Sequence, residues 1–233
     1  IALGHGNHEI GILGLVVGRM KGYLSELAEV TNSVSKGDLS RKPEVRSEKD
    51  LLGISLSRMI ENHSESLATM RSKNDRENWI KNGQMEVGKR IRGKQNIDEI
   101  LSGVITYLSE YTEASVGAFY LPDEKDGKLH LYASYAFEKG GRNSEEYSPG
   151  DGLVGQCALE KKPILLSDVP DDYMYISSGL GKTPPDQIYI YPVVFDDTVV
   201  GIIELGVLGQ FSELKQDFIE RTSEAIGITI NLA

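Results

Sequence analysis

The sequence predicts a multidomain protein in which an all-α helical part precedes an α+β domain with a mainly antiparallel sheet. Residues 1–95 hold 16 basic and 12 acidic residues, a net charge of +4, whereas residues 96–233 hold 9 and 23, a net charge of −14. Of the 17 aromatic residues, only Tyr23 and Trp79 lie in the first part. The aromatic-rich second part can therefore form its own core, while the first part must bury its aliphatic side chains between long helices.

The first helical segment shows a heptad pattern. Apolar residues recur at spacings of three and four, with the polar Thr31 as the one exception. The apolar positions are Ile10, Leu13, Val17, Met20, Leu24, Leu27 and Val34. This spacing is typical of a helix in a parallel bundle or coiled coil. We expect Gly37 to end the helix and Pro43 to keep the following segment extended.

A second periodic segment begins near Leu51 and repeats the first at an offset of 39 residues. Seven residues in positions 9–26 recur identically in positions 48–65. The positions that correspond to the heptad pattern of the first segment form a second seam: Leu52, Leu56, Met59, His63, Ser66 and Met70. The polar side chains in this seam indicate either a helix with two packing arrangements of similar energy or simply poor packing.

These features resemble a HAMP domain, the helix, connector and helix relay of bacterial receptors. The matching residues are Gly37-Asp38-Leu39 at the end of the first helix, an extended connector through Val45, and the acidic Glu48 at the opening of the second helix. Glu9-Ile10-Gly11 resembles the same opening in a preceding unit. The resemblance implies a parallel homodimeric four-helix bundle that passes on a change in helix rotation, tilt or dynamics.

The predicted boundaries of this part follow from the repeat and the resemblance. Residues 1–20 are the second helix of a truncated HAMP unit, residues 21–70 a HAMP domain, and residues 71–95 a connecting signalling helix in which Trp79 is a packing anchor. The residues expected to carry packing and signalling are Leu13, Met20, Leu24, Leu27, Gly37, Leu39, Glu48, Leu52, Met59 and His63.

The second part alternates helical and strand patterns. Asn96 is a candidate N-cap of an amphipathic helix that extends to residue 111, and Ser212 is a candidate N-cap of the closing helix. Between them we expect a hairpin, a short helix, a single strand and a second hairpin whose turn is Asp196-Asp197. The predicted ranges are 116–121 with 128–137, 152–159, 164–166, and 188–195 with 199–208.

This order, over residues 96–233, is similar to a GAF domain. The residues that carry the resemblance are the Gly-Asp-Gly-Leu-Val-Gly-Gln segment at 150–156, Lys162-Pro163-Ile164, Asp168, and Gly-Ile-Ile-Glu-Leu at 201–205. GAF domains bind cyclic nucleotides, tetrapyrroles, other small molecules or nothing, so the resemblance implies the fold and leaves the ligand open.

A long segment after Asp168 is expected to lie over the ligand side of the sheet. It contains Asp171, Asp172 and Tyr173 and extends through Pro184-Pro185. A bound small molecule would lie between this segment and the strands that carry aromatic side chains; the alternative is that these aromatics form only the core. The predicted lining residues are Phe119, Tyr135, Asp168, Tyr173 and Tyr191.

Several function classes are disfavoured. Cys157 is the single cysteine and is expected to be buried filler, and the four histidines lack metal-ligand spacing, so we expect neither a metal site nor a cofactor. Residues 150–155 lack the Lys-Ser/Thr of a P-loop. An acidic chain with no basic stripe is not expected to bind nucleic acid, and the apolar segment 10–17 is too short to span a membrane.

The sequence thus favours a cytoplasmic signalling region of a bacterial inner-membrane receptor. We expect it to pass a conformational change through a dimeric HAMP bundle and a GAF domain to a missing C-terminal output domain, with a histidine kinase as the expected output. The alternative is a ligand-gated GAF sensor in which the helices only dimerise. An enzymatic role is disfavoured because no nucleophile, base and metal motifs occur together.

Overall fold

A computed structural model describes residues 4–92, 96–137, 145–170, 173–178 and 181–233. The chain divides into two compact units, Ile1–Asp75 and Arg76–Ala233. Among the described residues, no helix has an apolar stretch long enough to cross a bilayer.

The first unit contains helix α1, Gly4–Ser35, and the beginning of helix α2, Leu51–Ile91. Gly37 ends α1 as predicted: its φ of +84° is favourable only for glycine, and its N–H donates to the Val34 carbonyl at 2.9 Å. The Asp38 N–H donates to the Ser33 carbonyl at 3.0 Å, which completes a Schellman motif. Two long helices with an extended connector are compatible with the predicted bundle.

Asp50 caps the start of α2. Its Oδ1 accepts a hydrogen bond from the Gly53 N–H at 2.9 Å and another from the Tyr23 hydroxyl of α1, and its Oδ2 accepts one from the Arg46 N–H at 3.0 Å. Glu48, the acidic residue predicted to open this helix, instead lies exposed in the preceding turn. An aspartate directly before the helix suits the cap because its short side chain reaches the third helical N–H.

The second unit is an α+β domain, as predicted from the element order. The elements are α3 Ile97–Tyr111, β1 Val116–Pro122, β2 Leu129–Tyr135, β3 Glu146–Tyr147, α4 Gly152–Glu160, β4 Ile164–Ser167, β5 Ile176–Ser178, β6 Gly181–Thr183, β7 Gln187–Phe195, β8 Thr198–Val207 and α5 Glu213–Asn231. The main sheet is antiparallel throughout, with the order β3-β2-β1-β8-β7-β4, and β5 and β6 form a separate two-stranded sheet.

Local sequence signals account for several boundaries. The Asn96 side chain accepts a hydrogen bond from the Asp98 N–H at 2.8 Å and so caps α3. Asp196 and Asp197 both have positive φ, 45° and 59°, which matches the two-residue turn expected between β7 and β8. Along α5 the Ala225 side chain faces solvent, whereas the neighbouring Ile226 is buried.

The last part of α2 packs into the core of the second unit. Ile80 and Val87 are fully buried, and the Trp79 ring stacks on Tyr111 at 4.5 Å between centroids and meets the edge of Phe218 at 5.4 Å. Residues 71–95 are the predicted connecting helix, and the part of α2 from Arg76 to Ile91 groups with the second unit. Only about one side chain per helical turn is buried in this part of α2. Because the other positions are mostly polar, the composition of the stretch does not indicate that it packs against a core.

Candidate functional site

The two faces of the main sheet carry different clusters of side chains. Successive residues of a strand point to opposite faces, so Phe119 of β1 packs with α3, α5 and the end of α2, whereas Ala118 and Tyr120 point away from these helices. We call the second face the inner face. Its buried residues are Val116, Ala118, Tyr120, Leu129, Val154, Cys157, Met174, Ile188, Ile190 and Ile202.

Among the residues that the structure describes, the inner face contains one buried carboxylate. Glu204 lies on the central strand β8, opposite Ala118 of β1 and Ile190 of β7, and is only 2% exposed. Its Oε2 accepts a hydrogen bond from the Tyr120 hydroxyl at 3.0 Å, and its Oε1 accepts one from the Tyr173 hydroxyl at 3.1 Å. The Glu204 side chain thus links Tyr120 of β1 to Tyr173, which lies in the segment between β4 and β7.

Burial dominates the electrostatics of this group. It raises the pKa of Glu204, although the two tyrosine hydrogen bonds act in the opposite direction. Burial and the nearby Glu204 also raise the pKa values of Tyr120 and Tyr173 far above the usual range. Both hydroxyls therefore remain protonated at neutral pH and act as donors to the carboxylate.

Cys157 of α4 lies on the same face. Its thiol is fully buried and donates to the Lys162 carbonyl at 3.2 Å. Burial, with smaller contributions from Glu204 and Glu160, raises the pKa of the thiol to about 12. A thiol that stays protonated is a poor nucleophile, which agrees with the packing role expected for this residue.

The structure does not bring the five predicted lining residues together. Phe119 and Tyr191 pack on the helix side of the sheet, and Tyr135 shares the strand face of Ala133, which also packs there. Tyr173 lies on the inner face, and Asp168 is exposed with a φ of +57°. The two predicted acidic neighbours, at positions 171 and 172, lie outside the described residues.

Glu204 and Tyr120 are not among the lining residues predicted from the sequence. A signal existed, because Glu204 interrupts the otherwise apolar run from Ile202 to Leu205. A charged residue inside a buried strand must be paired, hydrogen-bonded or neutral. The residues that satisfy it come from β1 and from the segment before β7, and this pairing is not visible in the sequence.

Comparison with known proteins identifies the second unit. A family model described as GAF domain matches residues 94–231, which is more than half of the chain. The chain belongs to the GAF domain family. GAF domains are signalling and small-molecule sensing modules, and the α+β fold with an antiparallel sheet flanked by helices agrees with this assignment.

Solved structures, two of them described as GAF domains, show a similar fold at low sequence identity. The GAF domain of a phosphoenolpyruvate-protein phosphotransferase from Coxiella burnetii is 18% identical, covering 66% of this chain and 94% of its own, with a TM-score of 0.56. The nlh2 GAF domain of A. aeolicus in an inactive state is 16% identical, covering 67% and 98%, with a TM-score of 0.55. Free methionine-R-sulfoxide reductase from Neisseria meningitidis, in complex with its substrate, is 16% identical, covering 65% and 88%, with a TM-score of 0.53. No curated protein matches the sequence.

The β1–β2 hairpin of the GAF domain brings together three potential metal ligands that the sequence spacing did not reveal. Asp123, Asp126 and His130 have ligand atoms within 4.8 Å of one another. The group lies near the surface, and its members already bond within the hairpin: His130 Nε2 lies 2.8 Å from Asp126 Oδ2, and Asp123 accepts from the Lys125 N–H at 2.9 Å. These bonds account for the arrangement without an ion.

The predicted signalling residues of the first unit divide by exposure. Leu13, Met20 and Leu24 are 65%, 62% and 47% exposed in the single chain, whereas Leu27 is buried. Of the other predicted signalling residues, Leu39 is half-buried. The exposed ones are Gly37, Glu48, Leu52, Met59 and His63. The first seam of α1 thus presents an apolar stripe, Leu13, Val17, Met20 and Leu24, to solvent.

Proposed function

We propose that the chain is a relay and sensor region of a bacterial transmembrane receptor. Two copies form a parallel HAMP bundle below the inner membrane, and a change in that bundle passes through the GAF domains to a C-terminal output domain, with a histidine kinase as the favoured output. The observation that carries this proposal is the exposed apolar stripe of α1, because four large apolar side chains in heptad spacing are stable in water only when a partner covers them.

The course of α2 supports the transmission step. The helix continues from Leu51 to Ile91, and its residues Ile80 and Val87 are fully buried in the GAF core. A rotation or shift of α2 would therefore be imposed directly on the packing around Trp79 and Phe218. A small displacement changes such a packed core between discrete arrangements, which is the property that a relay needs.

The second candidate function is a ligand-gated sensor in which the helices serve only for dimerisation. The buried Glu204 favours it, because a carboxylate on the inner face is a specific polar group in an otherwise apolar environment. The two functions are compatible in one receptor. In the relay the signal enters through the N-terminal helices, whereas in the sensor it enters through a ligand of the GAF domain.

Sedimentation equilibrium tests the dimeric relay. We expect the wild-type chain to be a dimer and Met20→Glu to be a monomer, because the substitution places a charge in the stripe. Gly22→Glu, at an exposed position of the same helix outside the heptad seam, is the matched control and should remain dimeric. A wild-type chain that is monomeric at high concentration, or a Met20→Glu variant that dimerises like the control, would refute the relay.

A further inference from the structure

The Glu204 carboxylate has fewer partners than its burial demands. It accepts hydrogen bonds from Tyr120 and Tyr173, and among the described residues no Lys, Arg or His pairs with it. An ionised carboxylate has about four acceptor positions, so two remain for other donors. A buried carboxylate without a cation is costly, and a ligand that supplies the missing positive charge would gain that energy on binding.

Aromatic rings surround the same position. The Tyr120 and Tyr147 rings meet edge to face, with centroids 5.5 Å apart and planes at 81°, and Tyr173 supplies a third ring at the carboxylate. Apolar groups, including Ala118, complete the surroundings on β1. A carboxylate beside tyrosine rings is the chemistry that proteins use for organic cations, since the acid provides the charge partner and the ring faces attract the cation.

The two tyrosines that bind Glu204 differ in how they are held. Tyr120 is fully buried within β1, between β2 and β8, so its hydroxyl is a fixed donor. Tyr173 is half-buried and follows β4, in a segment whose described strands, β5 and β6, pair only with each other. Its hydroxyl donates to Oε1, so a rotation of this one side chain frees that oxygen for another donor.

We propose that the inner face of this GAF domain binds a small organic cation, with a primary ammonium or guanidinium group that donates to Glu204 in place of the Tyr173 hydroxyl. The proposal rests on the sensing role proposed above and names its ligand class. Binding releases Tyr173 from the carboxylate, so the ligand alters the segment between β4 and β7 while β1 and β8 keep their positions.

Three probes of similar size but different charge test the charge requirement. n-Butylammonium, 1-butanol and butyrate are titrated into the whole chain carrying ¹³C-labelled tyrosine rings, and the ring signals of Tyr120, Tyr147 and Tyr173 are followed by NMR. We expect saturable shifts with n-butylammonium only. Glu204→Gln keeps the shape of the side chain but removes the charge and replaces one acceptor oxygen with an NH2 donor. We expect it to lower the affinity at least about tenfold.

Tyr173→Phe gives the opposite result if the hydroxyl competes with the ligand. It keeps the ring and removes the donor, so n-butylammonium should bind up to about tenfold more tightly, a change equivalent to about 1.4 kcal/mol. A residue that only stabilises the fold would not produce a gain in affinity. This variant also decides the matter if Glu204→Gln does not fold, as judged by near-ultraviolet circular dichroism.

Several outcomes overturn the proposal: no saturable shift with n-butylammonium, equal binding of the three probes, unchanged affinity in Glu204→Gln, or no gain in Tyr173→Phe. Saturable binding of only the neutral or anionic probe also overturns the ligand class, while it leaves a sensing role for the GAF domain intact. The dimeric relay is tested by sedimentation and is unaffected by any of these results.

Discussion

Glu204 shows how a single buried carboxyl group couples the stability of the GAF domain to pH. Its pKa is raised by burial above the ordinary value of 4.5 that it regains on unfolding. Between these two values the folded state binds more protons than the unfolded state, so the contribution of Glu204 is complete below pH 4.5 and is lost as the pH rises through the raised pKa.

Glu204→Gln should therefore remove one component of the pH dependence. As the pH increases from about 4.5, the wild type should lose stability relative to the variant, because its buried carboxyl group ionises and the amide does not. Urea unfolding across this range measures the effect. Glu110→Gln, at an exposed position of α3, is the control. Parallel wild-type and Glu204→Gln profiles would contradict the assignment.

Two glycines of α2 offer a matched pair of substitutions. A Cβ atom at Gly83 would lie 2.5 Å from Phe218 Cε2 and 2.6 Å from Tyr111 Cε1, whereas one at Gly88 would meet only the end of Arg92, at 3.6 Å. Gly83→Ala should lower the free energy of unfolding by about 1–3 kcal/mol through overpacking. Gly88→Ala should raise it by up to about 1 kcal/mol through helix propensity.

Thermal or urea unfolding of the two variants compares them directly. Because both glycines lie in one helix and gain the same methyl group, the helix-propensity term is shared and the difference reports the contact with Phe218 and Tyr111. Equal stability changes would show that the end of α2 is not packed against these rings.

At the scale of elements, the start of α2 depends on one side chain. Asp50 caps the helix and also receives the Tyr23 hydroxyl of α1, and the Arg46 guanidinium lies 4.3 Å from the centre of the Tyr23 ring. Asp50→Ala should lower the melting temperature of the helical unit, because it removes the cap and the link to α1 together. Circular dichroism at a helical wavelength follows the transition.

Glu48→Ala is the control for this cap, since both residues are acidic and lie within three positions of the helix. Glu48 is exposed in the turn before α2, so its loss should leave the melting temperature nearly unchanged. A larger effect from Glu48 than from Asp50 would restore the sequence-based interpretation, in which Glu48 opens the helix.

The elements that the sequence predicted well are those specified by local signals. The cap at Asn96, the left-handed Gly37 and the Asp196-Asp197 turn each depend on residues within a few positions of one another. The arrangement of the site did not follow, because β1 is apolar on both of its faces and its alternation cannot say which face lies beneath the segment that carries Tyr173. That choice depends on strand pairing and on packing between distant residues.

For the whole molecule, the two units differ in how they bury apolar surface. The GAF domain has clusters on both faces of its sheet, whereas α1 leaves the stripe of Leu13, Val17, Met20 and Leu24 exposed in the single chain. A second copy with the same stripe would cover it by symmetric pairing, in which each seam residue meets its own counterpart. The relay function depends on this parallel arrangement.

Cysteine cross-linking tests the parallel dimer most directly. The native Cys157 is fully buried, so a new thiol at an exposed position reacts without interference. We expect Leu24→Cys to form a disulfide-linked dimer under mild oxidation, because the proposed parallel dimer places the seam positions of the two chains side by side. Gly22→Cys, outside the seam, should remain unlinked. Equal cross-linking of the two variants, or none in Leu24→Cys, would contradict the parallel helical relay.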